Sequence, residues 1–540
     1  MRSSPRLDCY REQMRRRVHP FSASLLALSA ASSGSAFLTG CGASSSGVTP
    51  RPDAGEMDGT IPADAAGSAD TGRGPAEASA LDSESDAAVG LDAGPTVAAT
   101  ITVNPATTIG AIGPGFVGLS YEKSHLEDGY FRGDNAALVA MVDLLGPSVL
   151  RVGGNSVDET VWQTYDAGTP ASDAAVPAVI TQAMVDGLAA FAKAARWTVI
   201  YGVNLKLSSA PVAEDEARYA ATDLGSSLYG FEIGNECDLY TQVASSPGAW
   251  SYDTFRADWN SFASAIRTDT PGAPLTGPAS AGHYATWTVP FASDEAASIL
   301  LLTQHYYRAN GQLATSTIDF LLTPDTALPT ELAALSSAAT SNRIANRYRL
   351  AECNSFYNGG APGISDAFGT ALWAIDFLFT NAENGSTGVN FHGGGDAAGY
   401  TPIADAQGNV VGARPIFYGM LLFARAGQGS VLKTTGSPTA INFSSYAIGL
   451  SGSQKSIVLS NKDRTTTVDA TVDVGAAIAS AQATWLAGPS LDATTGVTLG
   501  GVAIGNDGSF APQPPVVLPT SGTTFTVDVP PASAVLVSVQ

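Results

Sequence analysis

From about residue 100 onward, short apolar runs alternate with longer stretches in which apolar residues recur every three or four positions. The first pattern predicts buried strands and the second amphipathic helices. Strands are expected at 116–121, 148–152, 197–203, 228–233, 275–278 and 299–307, in the run ending at Glu352, and at 388–391. Helices are expected at 136–145, 180–195, 215–222, 253–268, 329–341, 366–379 and 415–426. A helix follows every strand except the fifth. Such strict alternation predicts an α/β fold, a (β/α)₈ TIM barrel over residues 100–427. The β-branched run 101–103 precedes Pro105 and is expected to pair with strands outside the barrel. Past Gly427 the pattern becomes short strands punctuated by Gly, Pro, Asn and Asp, which predicts a C-terminal antiparallel β-sandwich over 428–540.

The beginning of the chain follows another rule. Six arginines before residue 18 and a weakly apolar stretch over 21–37 form a signal-like segment, 1–40. It ends in Leu38-Thr39-Gly40-Cys41, which resembles the lipobox of bacterial lipoproteins. The resemblance implies lipidation at Cys41, a membrane anchor, and placement on the cell envelope, with Gly42 favouring the outer membrane. Residues 41–99 hold no aromatic side chain and set ten acids against Arg51 and Arg73. Such a segment cannot bury enough surface to order itself, so an extended acidic tether is expected. The formal charge of −22 excludes nucleic acid as a partner, because phosphate binding needs basic patches.

Chemistry concentrates at two predicted strand ends. Leu228-Tyr229-Gly230-Phe231-Glu232-Ile233-Gly234 delivers Asn235 and Glu236. The run at 348–351 delivers Glu352, which opens into a polar, aromatic, glycine-rich loop through Tyr357, Asn358, Gly359 and Gly360. In a parallel barrel the C-terminal edge of the strands surrounds the mouth where reactions occur. Two carboxylates facing one mouth are what glycosidic bond cleavage requires. Cys237 and Cys353 each follow one of these acids, so alternation turns both outward as buried free thiols. The same alternation would turn Asn235 away unless the strand breaks there. The five histidines show no metal-ligand spacing, and neither a metal nor a cofactor is expected.

The Asn235-Glu236 pair, Gln304-His305-Tyr306-Tyr307, the Glu352-to-Gly360 loop and the glycine-rich loop ending at Gly399-Tyr400 resemble glycoside hydrolase family 79. That family holds β-glucuronidases and heparanases within a clan of retaining barrel glycosidases, and the likeness covers residues 101–540. It implies Glu236 as acid/base, Glu352 as nucleophile, and Tyr306 as the hydrogen-bond partner of Glu352. It implies Tyr357, the backbone at Gly359, and Tyr400 as holders of a C6 carboxylate. Asn155, Glu122 and Asn235 would meet sugar hydroxyls. Tyr307, on its own merits, is expected to be a core aromatic. The implied substrate is a glucuronide or an oligosaccharide containing uronic acid. Exo-cleavage is favoured, because Lys206 and Arg308 do not make a dense basic cleft. Cleavage of a neutral β-glycoside, endo-cleavage like that of a heparanase, and a non-catalytic carbohydrate-binding lipoprotein stand as alternatives.

Overall fold

The computed structural model of the protein describes residues 94–164, 178–241, 249–395 and 399–540. The signal segment, Cys41 and nearly all of the tether lie outside the described residues, as does Asp396. Strand β1 (Thr96–Ile112) starts three residues before the expected end of the tether. Eight parallel strands then close into a barrel: β2 (Val117–Glu122), β3 (Val149–Gly153), β4 (Thr198–Val203), β5 (Leu228–Ile233), β6 (Leu275–Ser280), β7 (Leu301–Asn310), β8 (Tyr348–Tyr357) and β9 (Val389–Gly393). A helix packs after each: α1 (Ala136–Asp143), α2 (Gln182–Ala195), α3 (Ala210–Leu224), α4 (Tyr252–Asp269), α5 (Thr288–Asp294), α6 (Leu328–Ser341, preceded by a short helix at Ile318–Leu322), α7 (Gly369–Glu383) and α8 (Pro415–Ala426). No helix among the described residues is long and apolar enough to cross a membrane.

The fifth strand is followed by a helix after all, a seven-residue one. At that length, with Pro290 inside it, α5 shows no apolar periodicity to read. Helix α3 begins five residues before the expected 215, because Pro211 fits the first turn, where its missing N–H costs nothing. Helix α4 shows the ordinary logic. Ser251 caps it by accepting from the Thr254 amide, and Phe255, Trp259, Phe262, Ala263 and Ile266 make one buried stripe against the barrel.

The C-terminal strands are β10 (Gly429–Thr435), β11 (Phe443–Gly449), β12 (Lys455–Asn461), β13 (Thr467–Asp473), β14 (Ala481–Ala487), β15 (Thr498–Leu499), β16 (Val516–Val517), β17 (Thr520–Ser521), β18 (Thr524–Val529) and β19 (Ser533–Val539). With β1 they form one hydrogen-bonded sheet of 11 strands, in the order β15-β14-β19-β12-β11-β10-β1-β13-β18-β17, with β16 beside β14. The two faces of the expected sandwich are thus parts of one continuous sheet folded over its own core. Strand β1 joins them, pairing antiparallel with β10 and parallel with β13.

Period-two alternation divides the apolar residues of β12 between two cores. Ile457 and Leu459 pack inside the sheet, whereas Val458 packs on the barrel's core. Helices α7 and α8 lie between barrel and sheet, which is why nearly every residue of α8 is apolar and buried. At this junction Phe379 stacks on Tyr446 with centroids 4.0 Å apart. Tyr446 and Ser444 donate to Asp376 at 3.0 and 2.6 Å, and the Lys462 ammonium closes on the same carboxylate at 2.9 Å.

Candidate active site

The inside of the barrel is unusually polar. Low down, Val149, Ile200 and Leu301 form a small apolar cluster. Above Val149, two residues along β3, Arg151 is wholly buried and forks three ways. Its Nε donates to Glu232 Oε2 at 2.7 Å, its Nη1 to Glu352 Oε2 at 2.6 Å, and its Nη2 to Asn235 Oδ1 at 2.7 Å. A guanidinium is suited to this, with five donors in a rigid plane and a charge that is never lost.

Glu352 sits on β8 and is bracketed by donors. Besides Arg151, the Tyr307 hydroxyl donates to its Oε1 at 2.7 Å, and His392 Nδ1 lies 3.8 Å from Oε2. Here the structure corrects the expected partner, since Tyr306 donates instead to Asp325, at 2.8 Å, and stacks on Phe377. Strand register gives the reason. Glu352 lies beside His305 in the β7–β8 pair, so His305 faces inward with it. Tyr307, two residues on, shares that face. Tyr306 lies beside Cys353 and points with it into the helix layer.

Glu236 reaches the same mouth from β5. Its Oε1 lies 3.1 Å from His305 Nδ1. One oxygen of Glu236, one of Glu352 and a ring nitrogen of His305 all lie within 4.8 Å of one another. Three donor atoms so close could in principle hold a metal ion. Arg151, however, already places a cation on Glu352, which leaves the trio better fitted to moving protons. Strand β5 breaks where the geometry requires it. Gly234 has φ 84° and Glu236 φ 49°, both left-handed, so Asn235 and Glu236 both turn into the mouth. Cys237 and Cys353 are free thiols and buried.

The two acids are pushed apart electrostatically. Burial is the largest influence on both and raises both. For Glu352 it is outweighed by the charges of His392, His305 and Arg151 and by the Tyr307 hydrogen bond, which hold the carboxyl well below its usual range. For Glu236 burial prevails, aided by the negative charge of Glu352 and only partly opposed by His305, so its pKa is raised. One carboxyl therefore favours its ionised form and the other its proton.

The remaining expected residues gather around these two. Asn155 Oδ1 accepts from Asn235 Nδ2 at 3.4 Å. Glu122 accepts from the amides of Asn155 and Ser156 at 3.2 and 2.7 Å, and lies 3.5 Å from His392 Nε2. Its carboxylate lies against Gly154, where a Cβ would come within 2.4 Å of Oε2. The Tyr357 and Tyr400 rings each stand 6.3 Å from that of Tyr307, and Tyr400 is 5.9 Å from His392. Gly359 lies in the turn between them. At the next residue, Gly360, a side chain would come within 2.8 Å of Ser365 and 3.1 Å of the Tyr400 amide, so only glycine lets the two loops close. Arg151, Glu232 and His392 complete the site, and sequence reasoning missed their roles. The available signal was the charge itself, since an arginine or glutamate inside a buried strand needs a partner.

Fold and site together define a (β/α)₈ barrel with two facing carboxylates, their pKa values displaced in opposite directions, at the C-terminal mouth. The chain is similar to proteins of known function. The chain is 26% identical over 331 residues to a β-glucuronidase of Aspergillus niger, an alignment covering 54% of this chain and 59% of that protein. It is 39% identical over 75 residues to a β-glucuronidase of Neurospora crassa, covering 14% and 13% of the two chains. Among solved structures, a 4-O-α-L-rhamnosyl-β-D-glucuronidase from Fusarium oxysporum 12S superposes with a TM-score of 0.68 at 18% identity, over 82% of this chain and 100% of that one. A family 51 α-L-arabinofuranosidase from Bifidobacterium longum superposes at 0.58 with 16% identity, over 82% and 99%. No family model matches the chain. The chain is thus similar in sequence to β-glucuronidases, and its fold is that of barrel glycosidases.

Proposed function

We propose that the protein is a retaining glycoside hydrolase that removes terminal β-linked glucuronic acid, with or without a 4-O-methyl group. The observation that carries this reading is the pair of carboxylate oxygens within 4.8 Å, on acids whose pKa values are displaced in opposite directions. Retention needs carboxyl groups about 5–5.5 Å apart, whereas inversion needs about 6.5–9.5 Å to admit a water.

In the first step Glu236 gives its proton to the leaving oxygen while ionised Glu352 attacks the anomeric carbon. The C–O bond to the aglycone breaks as a glycosyl ester forms on Glu352. In the second step Glu236, now a carboxylate, takes a proton from water. The water oxygen attacks the anomeric carbon and releases Glu352. Tyr307 and Arg151 share the charge of Glu352 in the resting state, and both lie where they can receive it again as the ester breaks. Asn235, fixed by Arg151, and Asn155 would meet sugar hydroxyls. Tyr357, the backbone at Gly359, and Tyr400 would meet the C6 carboxylate. Hydroxyl and amide donors can hold a carboxylate without a formal cation, which suits an acidic chain.

The test is hydrolysis of a chromogenic β-glucuronide beside the matching glucoside and xyloside. Preference for the glucuronide is expected, with retention of configuration in the first-formed sugar. Glu236→Gln should lose about 10²–10⁴-fold in rate, and Glu352→Gln should lose turnover altogether. Unchanged release by either variant rejects the assignment. We also propose that Cys41 anchors the enzyme to the cell envelope, supported by the lipobox-like sequence before it. Recovery of a Cys41→Ser protein in the membrane fraction would reject that.

A further inference from the structure

The acid/base stands on strained backbone. Glu236 is left-handed at φ 49°, and its amide donates to the carbonyl of Ala279 at 2.9 Å. Ala279 is itself left-handed, at φ 54°. Two non-glycine residues in this region face each other across the ends of β5 and β6, and such conformations persist only where the surroundings over-determine them.

Asp238, two residues beyond Glu236, meets that need. Its carboxylate is fully buried and collects four hydrogen bonds from one segment of the neighbouring loop. Oδ1 accepts from the Ala281 amide at 2.9 Å. Oδ2 accepts from the amides of Gly282 and His283 at 3.1 and 3.2 Å and lies 2.8 Å from His283 Nδ1. The Leu239 amide, beside it, donates back to the Glu236 carbonyl at 2.8 Å. The segment that carries the acid/base is thereby tied to the loop after β6 on both sides of Glu236. The Ala279 carbonyl holds it through the amide, and Asp238 holds it two residues later.

We propose that Asp238 is a positioning residue for Glu236, fixing the left-handed turn from which that carboxyl reaches the leaving oxygen. The inference rests on the reading of Glu236 as acid/base. The Asp238 side chain is wholly buried behind Glu236, so on this proposal its contribution falls on the steps in which Glu236 moves a proton. A loop staple with no such role would affect all substrates alike.

The experiment measures kcat/KM of the full chain on two aryl β-glucuronides. One has a dinitrophenolate leaving group that departs without a proton; the other has a phenolate that needs one. In Asp238→Asn, one acceptor oxygen becomes an amide, so bonds from the loop are lost at similar volume. Displacement of a catalytic group by about 1 Å can cost about 100-fold, and a fall of that order is expected on the phenyl substrate. On the dinitrophenyl substrate a fall of no more than about threefold is expected, since no proton is required there. Sodium azide should restore turnover of the dinitrophenyl substrate by replacing water as nucleophile in the second step. An equal fall on both substrates without azide rescue overturns the proposal. Should Asp238→Asn fail to fold, His283→Gln removes one partner only and should give the same split at about tenfold; an equal fall there overturns it too. Glu236→Gln run alongside separates the failures. No split in Glu236→Gln removes the acid/base reading itself, while a split there without one in Asp238→Asn removes only the clamp.

Discussion

Strand β3 turns Val149 and Arg151 into the barrel, and strand β12 turns Ile457 and Leu459 into the C-terminal sheet. Both strands are buried along their whole length and obey the same alternation. In the sheet, the central inward positions of β12, β13, β18 and β19 are filled by Ala, Val, Ile, Leu and Phe, with polar residues such as Asn461 only at the strand ends. Stability there scales with apolar area removed from water and depends little on orientation. In the barrel, an arginine is matched to two carboxylates and an amide, so stability depends on partners standing at hydrogen-bond distance. Taking charge out of water is expensive, and breaking such a set leaves the remainder exposed to that cost. The barrel accepts this arrangement where the chemistry needs charge fixed in place. The sheet has no such need and remains oily.

The largest effect expected from breaking this contrast is at Arg151. Arg151→Met removes the guanidinium shared by Glu232 and Glu352 and should destabilise the fold by about 3–5 kcal/mol. Denaturant unfolding at neutral pH measures it, and activity should be lost in whatever folds. Ile457→Ala in the sheet should cost about 2–5 kcal/mol by the same measurement. It should leave kcat and KM unchanged at a temperature where the protein is folded. A drop in kcat comparable to that of the barrel variant would erase the distinction.

A subtler test uses pH. The proposed mechanism requires Glu352 ionised and Glu236 protonated, so activity should fall on the acid side as Glu352 gains a proton and on the alkaline side as Glu236 loses one. His392→Gln removes a positive charge that holds the Glu352 pKa down. The acid limb should therefore move to higher pH while the alkaline limb stays. The depressed pKa of Glu352 also contributes stability at neutral pH, which is lost as pH falls through its folded value. A pH–rate profile with an unmoved acid limb would show that His392 does not act on Glu352. The smallest effect is expected where the two regions meet. Tyr446→Phe keeps the ring on Phe379 but loses the hydrogen bond to Asp376, a change of about 1 kcal/mol in unfolding free energy.

The parts legible in the sequence were those written by local pattern. The barrel strands and most helices follow from periodicity, and α8 begins and ends where its Pro and Gly place it. Glu236 and Glu352 stood out because each follows a short apolar run; Glu352 was expected to end its strand, but β8 continues for five more buried or half-buried residues to Tyr357. Tyr306 and Tyr307 could not be told apart that way. Adjacent tyrosines have the same composition, and only the register of β7 against β8 decides which one faces Glu352. Arg151 sits in a run that reads simply as a buried strand, and its partners are 81, 84 and 201 residues away in the chain. No local pattern encodes a meeting at that distance. The left-handed turn at Glu236 was foreseen only as a need, because alternation alone would have sent Asn235 outward.

Strand β1 carries a consequence for how the molecule is made. It is the earliest described segment to be synthesised, yet its neighbours in the finished sheet, β10 and β13, come only after the whole barrel. For most of translation its backbone donors and acceptors have no native partner, and loop closure over so long a stretch makes the pairing late. A nascent chain halted at residue 427 would carry a complete ring of barrel strands with a loose β-prone ribbon at its front.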